Sequence, residues 1–129
     1  MDKRVDKIID IPCNDKMFYR LWLSFLKPIH HFTPQVIDMA AEFLWHHEKL
    51  SKIIIDEKTL AKFLLSSDTK KEIIEACKIT PATYSVTLNK LRKEGFFKDG
   101  VINPKLIPHL NPGQNDFNLM LMFKIQNEE

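Results

Sequence analysis

Glycine is nearly missing from this chain: three residues in 129. A turn-rich all-β design, or a loop that cradles phosphate through glycine backbone, would need more of it. Cysteine is as sparse. Cys13 and Cys77 lie far apart and neither belongs to a CxxC pair, which argues for two free thiols in a reducing compartment rather than a disulfide framework. Long apolar runs are lacking too. Nothing approaches the roughly 20 residues that cross a bilayer, and the opening MDKRVDKIIDIP has charge without an apolar stretch, so no membrane association is expected. The expected location is the cytoplasm or the inside of a phage particle. Excess charge of one sign is also modest. A net +2 and a pI near 8.5 do not by themselves demand a polyanionic partner.

What is present suits an ordinary globular protein. Apolar residues make up 44% and charged residues 28%, and the wealth of Leu, Lys, Glu and Ala favours helices. The expected fold is mainly α with a small β-hairpin and a C-terminal strand. Residues 1–13 read as an arm in which KIIDIP can form a strand ended by Pro12, and residues 14–129 as one domain.

Within that domain, Asn14 or Asp15 caps a helix expected to reach Lys27, with Phe18, Leu21, Trp22, Phe25 and Leu26 as its apolar face. Pro28 opposes its continuation. Thr33-Pro34 opens a second helix to Trp45 or a little beyond, lined inside by Val36, Ile37, Ala40, Phe43 and Leu44. Asp56 or a neighbour starts a short helix with Leu60, Phe63 and Leu64. Ser67 or Asp68 caps the next, which buries Ile73, Ile74 and Cys77. Thr80 caps a helix over 81–94 with Pro81 at its first position and Gly95 beyond its end. Phe96-Phe97, Lys98-Asp99-Gly100 and Val101-Ile102 then read as strand, tight turn and strand, and Phe117 to Ile125 alternates as a last strand.

The order and spacing of the middle segment carry the functional signal. A helix beginning near Thr69, a three-residue turn, a longer helix ending Leu91-Arg92-Lys93-Glu94-Gly95 and an immediate hairpin together resemble the winged helix-turn-helix superfamily, including bacterial regulators of the multiple-antibiotic-resistance type. The run Leu91 to Phe97 is similar to the end of their second helix. Helix-turn-helix about 69–95 and wing about 96–107 are the matching parts. The Ile102-Asn103-Pro104 run after the wing also resembles a family of plasmid replication proteins with winged helices. The likeness implies double-stranded DNA as partner, in transcription or replication control of a phage or mobile element, by a homodimer or larger oligomer. A rival reading keeps the same shape as a phage structural or packaging module that binds protein.

On the helix over 81–94, Ile79, Tyr84, Leu88 and Leu91 face inward. Thr83, Ser85, Val86, Asn89, Lys90 and Lys93 are then left outward. Thr83, Ser85 and Asn89 suit base edges or phosphates, and Val86 a thymine methyl. Lys90, Arg92 and Lys93, with Lys98 or Lys105 near the wing, suit phosphates. From Thr69 to Lys105 eight Lys or Arg face four acids, so the segment is +4 in a chain of +2. The first half of the helix, however, carries no Arg, Lys, Gln or Asn.

Other features point away from catalysis. No Ser-His-Asp order or paired-carboxylate motif stands out, and no enzyme or cofactor is expected. His30-His31 and His46-His47 are adjacent pairs that diverge on a helix, with His109 and the cysteines remote. A metal site is therefore not expected, and the histidines read as surface or cap residues. The aromatics Phe18, Tyr19, Trp22, Phe25, Phe32, Phe43 and Trp45 read as core, part of which can serve an oligomer surface.

Overall fold

The computed structural model describes residues 6–110 and 115–126. Residues 1–5 of the arm and 111–114 of the proline-rich passage lie outside them. Among the described residues six α-helices precede one hairpin: α1 Asp15–Phe25, α2 Lys27–His30, α3 Pro34–Ser51, α4 Glu57–Leu64, α5 Ser67–Cys77 and α6 Pro81–Lys93. The hairpin is β1 Phe97–Lys98 and β2 Val101–Ile102, followed by a 3-10 turn, Pro104–Leu106. The protein is thus mainly helical with a small antiparallel hairpin.

Helix starts follow side-chain capping. Asn14, Asp56 and Thr80 each accept a backbone N–H three residues on, which satisfies a donor that no helical carbonyl reaches. For α5 the cap is Ser66 rather than Ser67 or Asp68. Thr69 locks it by donating its hydroxyl to the Phe63 carbonyl at 2.9 Å. α3 continues to Ser51, past Trp45, because His46 to Ser51 includes Glu, Lys and Leu and no breaker. Pro28 ends α1 yet sits in the first turn of α2, where its missing N–H has no partner to lose.

α3 is the hub. It packs against α1, α4, α5 and α6 and buries Val36, Ile37, Ala40, Phe43 and Leu44, as its pattern predicts, but also Met39, Ala41, Glu42, His46 and His47. The buried Glu42 carboxylate is held by the Lys16 ammonium of α1 at 3.1 Å. α1 turns Tyr19 and Leu23 fully inward, while Phe25 is exposed. Phe18, Trp22 and Leu26 of the expected face pack against the core, so the difference lies in Tyr19 and Leu23, which take the innermost places, and in Phe25 at the edge. Phe63 of α4 is likewise exposed.

The histidines depart furthest from expectation. His30, His46 and His47 are buried. The Phe32 N–H donates to His30 Nδ1 at 2.8 Å and His30 Nε2 lies 2.6 Å from the Leu23 carbonyl. Those contacts require the neutral ring with its proton on Nε2. His46 faces Glu72 and His47 faces Glu57 at 3.6 and 3.8 Å.

Two expected strands are absent. KIIDIP and Phe117 to Ile125 have no regular secondary structure. Alternation alone does not make a strand; it needs a neighbouring ladder, and the hairpin, the one sheet among the described residues, lends neither segment an edge. Phe117 instead sets its ring edge-on to Phe18 and Trp22, and Leu119 to Ile125 remain exposed.

Two predictions follow from these elements. Lys78 ends α5 in the left-handed conformation (φ 54°), with the Ile79 N–H returning to the Ile74 carbonyl. A left-handed residue with a Cβ costs about 1–2 kcal/mol, more than the roughly 0.5–1 kcal/mol of chain entropy that glycine adds. Lys78→Gly should stabilise the fold by about 0.5–1 kcal/mol, read as a higher urea midpoint at unchanged slope. Burial holds the pKa values of His30 and His46 below the ordinary 6.5; for His46 it outweighs the pull of Glu72 and Glu42. Above 6.5 both states are neutral. Below it the unfolded chain takes up protons that the fold refuses, so stability should fall from pH 6.5 downward until the folded rings titrate. Urea midpoints that stay flat between pH 7.5 and 5 would contradict this.

Candidate nucleic-acid interface

The centre of the candidate interface is α6, held at both ends. At its start Thr80 Oγ1 accepts the Thr83 N–H at 3.1 Å and donates to Thr83 Oγ1 at 3.0 Å. At its finish Gly95 adopts φ 87°, and the Phe96 N–H returns to the Leu91 carbonyl at 2.9 Å, with Gly95 N–H on Arg92. This paired return is the Schellman closure that glycine permits. It throws the chain into the hairpin at once.

The inner face of α6 is Tyr84, Thr87 and Leu91, all buried, with Leu88 half-buried and Ile79 of the preceding turn half-buried as well. Thr87 is the residue that periodicity did not select; its hydroxyl disguises it as polar, while its methyl and its place between Tyr84 and Leu91 put it inside. Phe43 of α3 receives this face: its ring lies 6.3 Å from those of Tyr84 and Phe96 and 5.2 Å from that of Phe97.

The opposite face is open. Ser85, Val86, Asn89, Lys90, Arg92 and Lys93 are exposed, as are Lys98 and Lys105. Thr83 is half-buried and its hydroxyl is engaged by Thr80; of the nine residues singled out it is the one already occupied within its own cap. The basic residues gather at the C-terminal end of α6 and on the hairpin that follows it.

The hairpin pairs Phe97 with Ile102 and Lys98 with Val101. Phe97 and Ile102 point into the core, so Lys98 points away from it. Asp99 and Gly100 both have positive φ, 57° and 81°, the type I′ turn that matches strand twist and favours glycine. Asn103 then closes the base. Its amide donates to the Gly95 carbonyl at 3.1 Å, its Oδ1 accepts the Lys105 N–H at 3.1 Å, and its own N–H reaches the Phe96 carbonyl at 2.7 Å. The Ile-Asn-Pro run thus acts as a clasp on the wing. Trp22 of α1 donates its indole N–H to the Leu106 carbonyl at 2.9 Å, which anchors the segment carrying Lys105.

Cys77 lies half-buried beside α6, its thiol pushed up to about 11 chiefly by burial. It is a protonated packing residue at neutral pH. No helix among the described residues is long and apolar enough to cross a membrane. No family model, curated protein or solved structure matches the chain.

Asn103→Ala removes two side-chain hydrogen bonds at the wing base. It should lower stability by about 1–2 kcal/mol and speed amide exchange at Phe97 to Ile102 more than within α3. Uniform acceleration across the chain would mean that the clasp acts on the whole fold rather than on the wing.

Proposed function

We propose that this chain binds double-stranded DNA through the outer face of α6, with the hairpin against the backbone, in control of transcription or replication. The observation that carries the reading is the division of α6. Tyr84, Thr87 and Leu91 are sealed against the core, while Val86, Asn89, Lys90, Arg92 and Lys93 stand free beside Lys98 and Lys105. A helix held rigidly with a free polar face and a basic margin suits a major groove, where base edges lie on the floor and phosphates on the rims. The local excess of Lys and Arg supports the same orientation. The likeness of the helix, turn, helix and hairpin to winged helix-turn-helix proteins agrees with it, and a two-fold homodimer would present two such helices to a palindromic site.

A second reading has one observation in its favour. Leu119, Met120, Leu121, Met122, Phe123 and Ile125 are all exposed, an apolar stretch that a protein partner, as in a phage particle, would cover.

Affinity for random duplex should fall steeply between about 50 and 200 mM salt, because each neutralised phosphate releases condensed counterions. Lys90→Ala with Lys93→Ala should flatten the log–log slope by about 1–2 units. Absence of duplex binding at the low-salt end would remove the DNA reading and leave the protein-partner reading.

A further inference from the structure

The outer face of α6 changes chemistry along its length. At 3.6 residues per turn, the line opposite the buried Tyr84, Thr87 and Leu91 runs Ala82, Val86, Asn89, Lys93, and all four are exposed. The first three are short and uncharged. No cation appears in the helix before Lys90. Val86 is 55% exposed and belongs to neither the core nor the residues packed against it, an apolar side chain in the middle of a free face.

Resting on the DNA-binding reading above, we infer that α6 selects A·T pairs, with Val86 against a thymine methyl and Asn89 on a nearby adenine. The major groove offers one apolar group, the thymine 5-methyl. An asparagine amide matches adenine: its N–H donates to N7 and its oxygen accepts from the N6 amino group. No cation precedes Lys90 in α6, so no side chain of its first half offers the cationic donors that pair with guanine O6 and N7. Small side chains at Ala82, Ser85 and Val86 also let the helix backbone approach the groove floor. Val86 and Asn89 are three residues apart, so their Cβ atoms stand about 5–6 Å from each other. Base pairs stack about 3.4 Å apart, which places the two contacts on neighbouring or next-neighbouring pairs. One turn on, Lys93 reaches the phosphate rim.

The test selects bound duplexes from a random pool with the intact chain, then measures affinity by fluorescence anisotropy on the enriched sequence. An A·T-containing core should be enriched. Replacing its thymines one at a time by deoxyuridine, which removes only the methyl, should weaken binding roughly fourfold at one position, the value of one buried methyl. Val86→Ala should lose sensitivity to that replacement. Asn89→Ala should cost tenfold or more on the enriched site, a larger loss than on random duplex. Both positions are exposed, so circular dichroism should match the parent. Salt-dependent duplex binding without A·T enrichment, or Val86→Ala remaining sensitive to uracil, overturns the base-reading inference alone. Failure to bind any duplex overturns the DNA reading and this inference together.

Discussion

Phe43 is the contact on which the arrangement of α6 and hairpin depends. It sits fully buried in the middle of α3 and meets Tyr84 from α6, Phe97 from β1, and Phe96 from the junction between them. Phe32 reaches Phe96 from the other side at 6.2 Å. Tilted and edge-on aromatic pairs contribute about 0.5–1.5 kcal/mol each beyond the apolar area they bury. Their tilted geometry also restrains rotation in a way that aliphatic contacts do not. One ring thus touches both the helix and the hairpin.

α3 can hold that ring still because it is surrounded. A helix covered by four others buries polar as well as apolar residues. Glu42 takes Lys16 of α1, His46 faces Glu72 of α5, and His47 faces Glu57 of α4. The Glu42–Lys16 pair adds little net stability, since desolvation offsets most of the attraction. Its effect is on geometry: a slip of α3 along its axis would strand the buried Glu42 carboxylate. The same crowding keeps His46 neutral against the pull of two nearby carboxylates.

Much of this was legible in the chain. Asn14, Asp56, Thr80 and Gly95 announce helix boundaries because capping is local, decided by hydrogen bonds within four residues. Asp99-Gly100 announces the hairpin for the same reason, and Tyr84 and Leu91 mark the inner face of α6 by period. What stayed hidden depends on who packs where. The burial of His46, His47 and Glu42 follows from α3 being enclosed on several sides, a property of topology, and that of His30 in α2 from its ring lying between the Leu23 carbonyl and the Phe32 N–H. Phe25 and Phe63 look like core and are not, since hydrophobicity says a face will be covered, not which edge of it. Phe117 to Ile125 has strand periodicity and no ladder to join. Thr87 was missed because its residue type reads as polar while its position is interior.

On the proposed DNA-binding reading, the closures at the two ends of α6 would spare its outer face a rearrangement on meeting the duplex. Thr80 ties off the first free N–H groups, Gly95 turns the last carbonyls back into hydrogen bonds, and Asn103 binds the wing base to that same turn through the Gly95 carbonyl. Backbone freedom is thus removed before any partner arrives, which lowers the ordering cost of association. The long Lys90, Arg92 and Lys93 lie exposed at one end, and the short Val86 and Asn89 at the centre. On the proposed reading, that division would separate selection from attraction within a single helix.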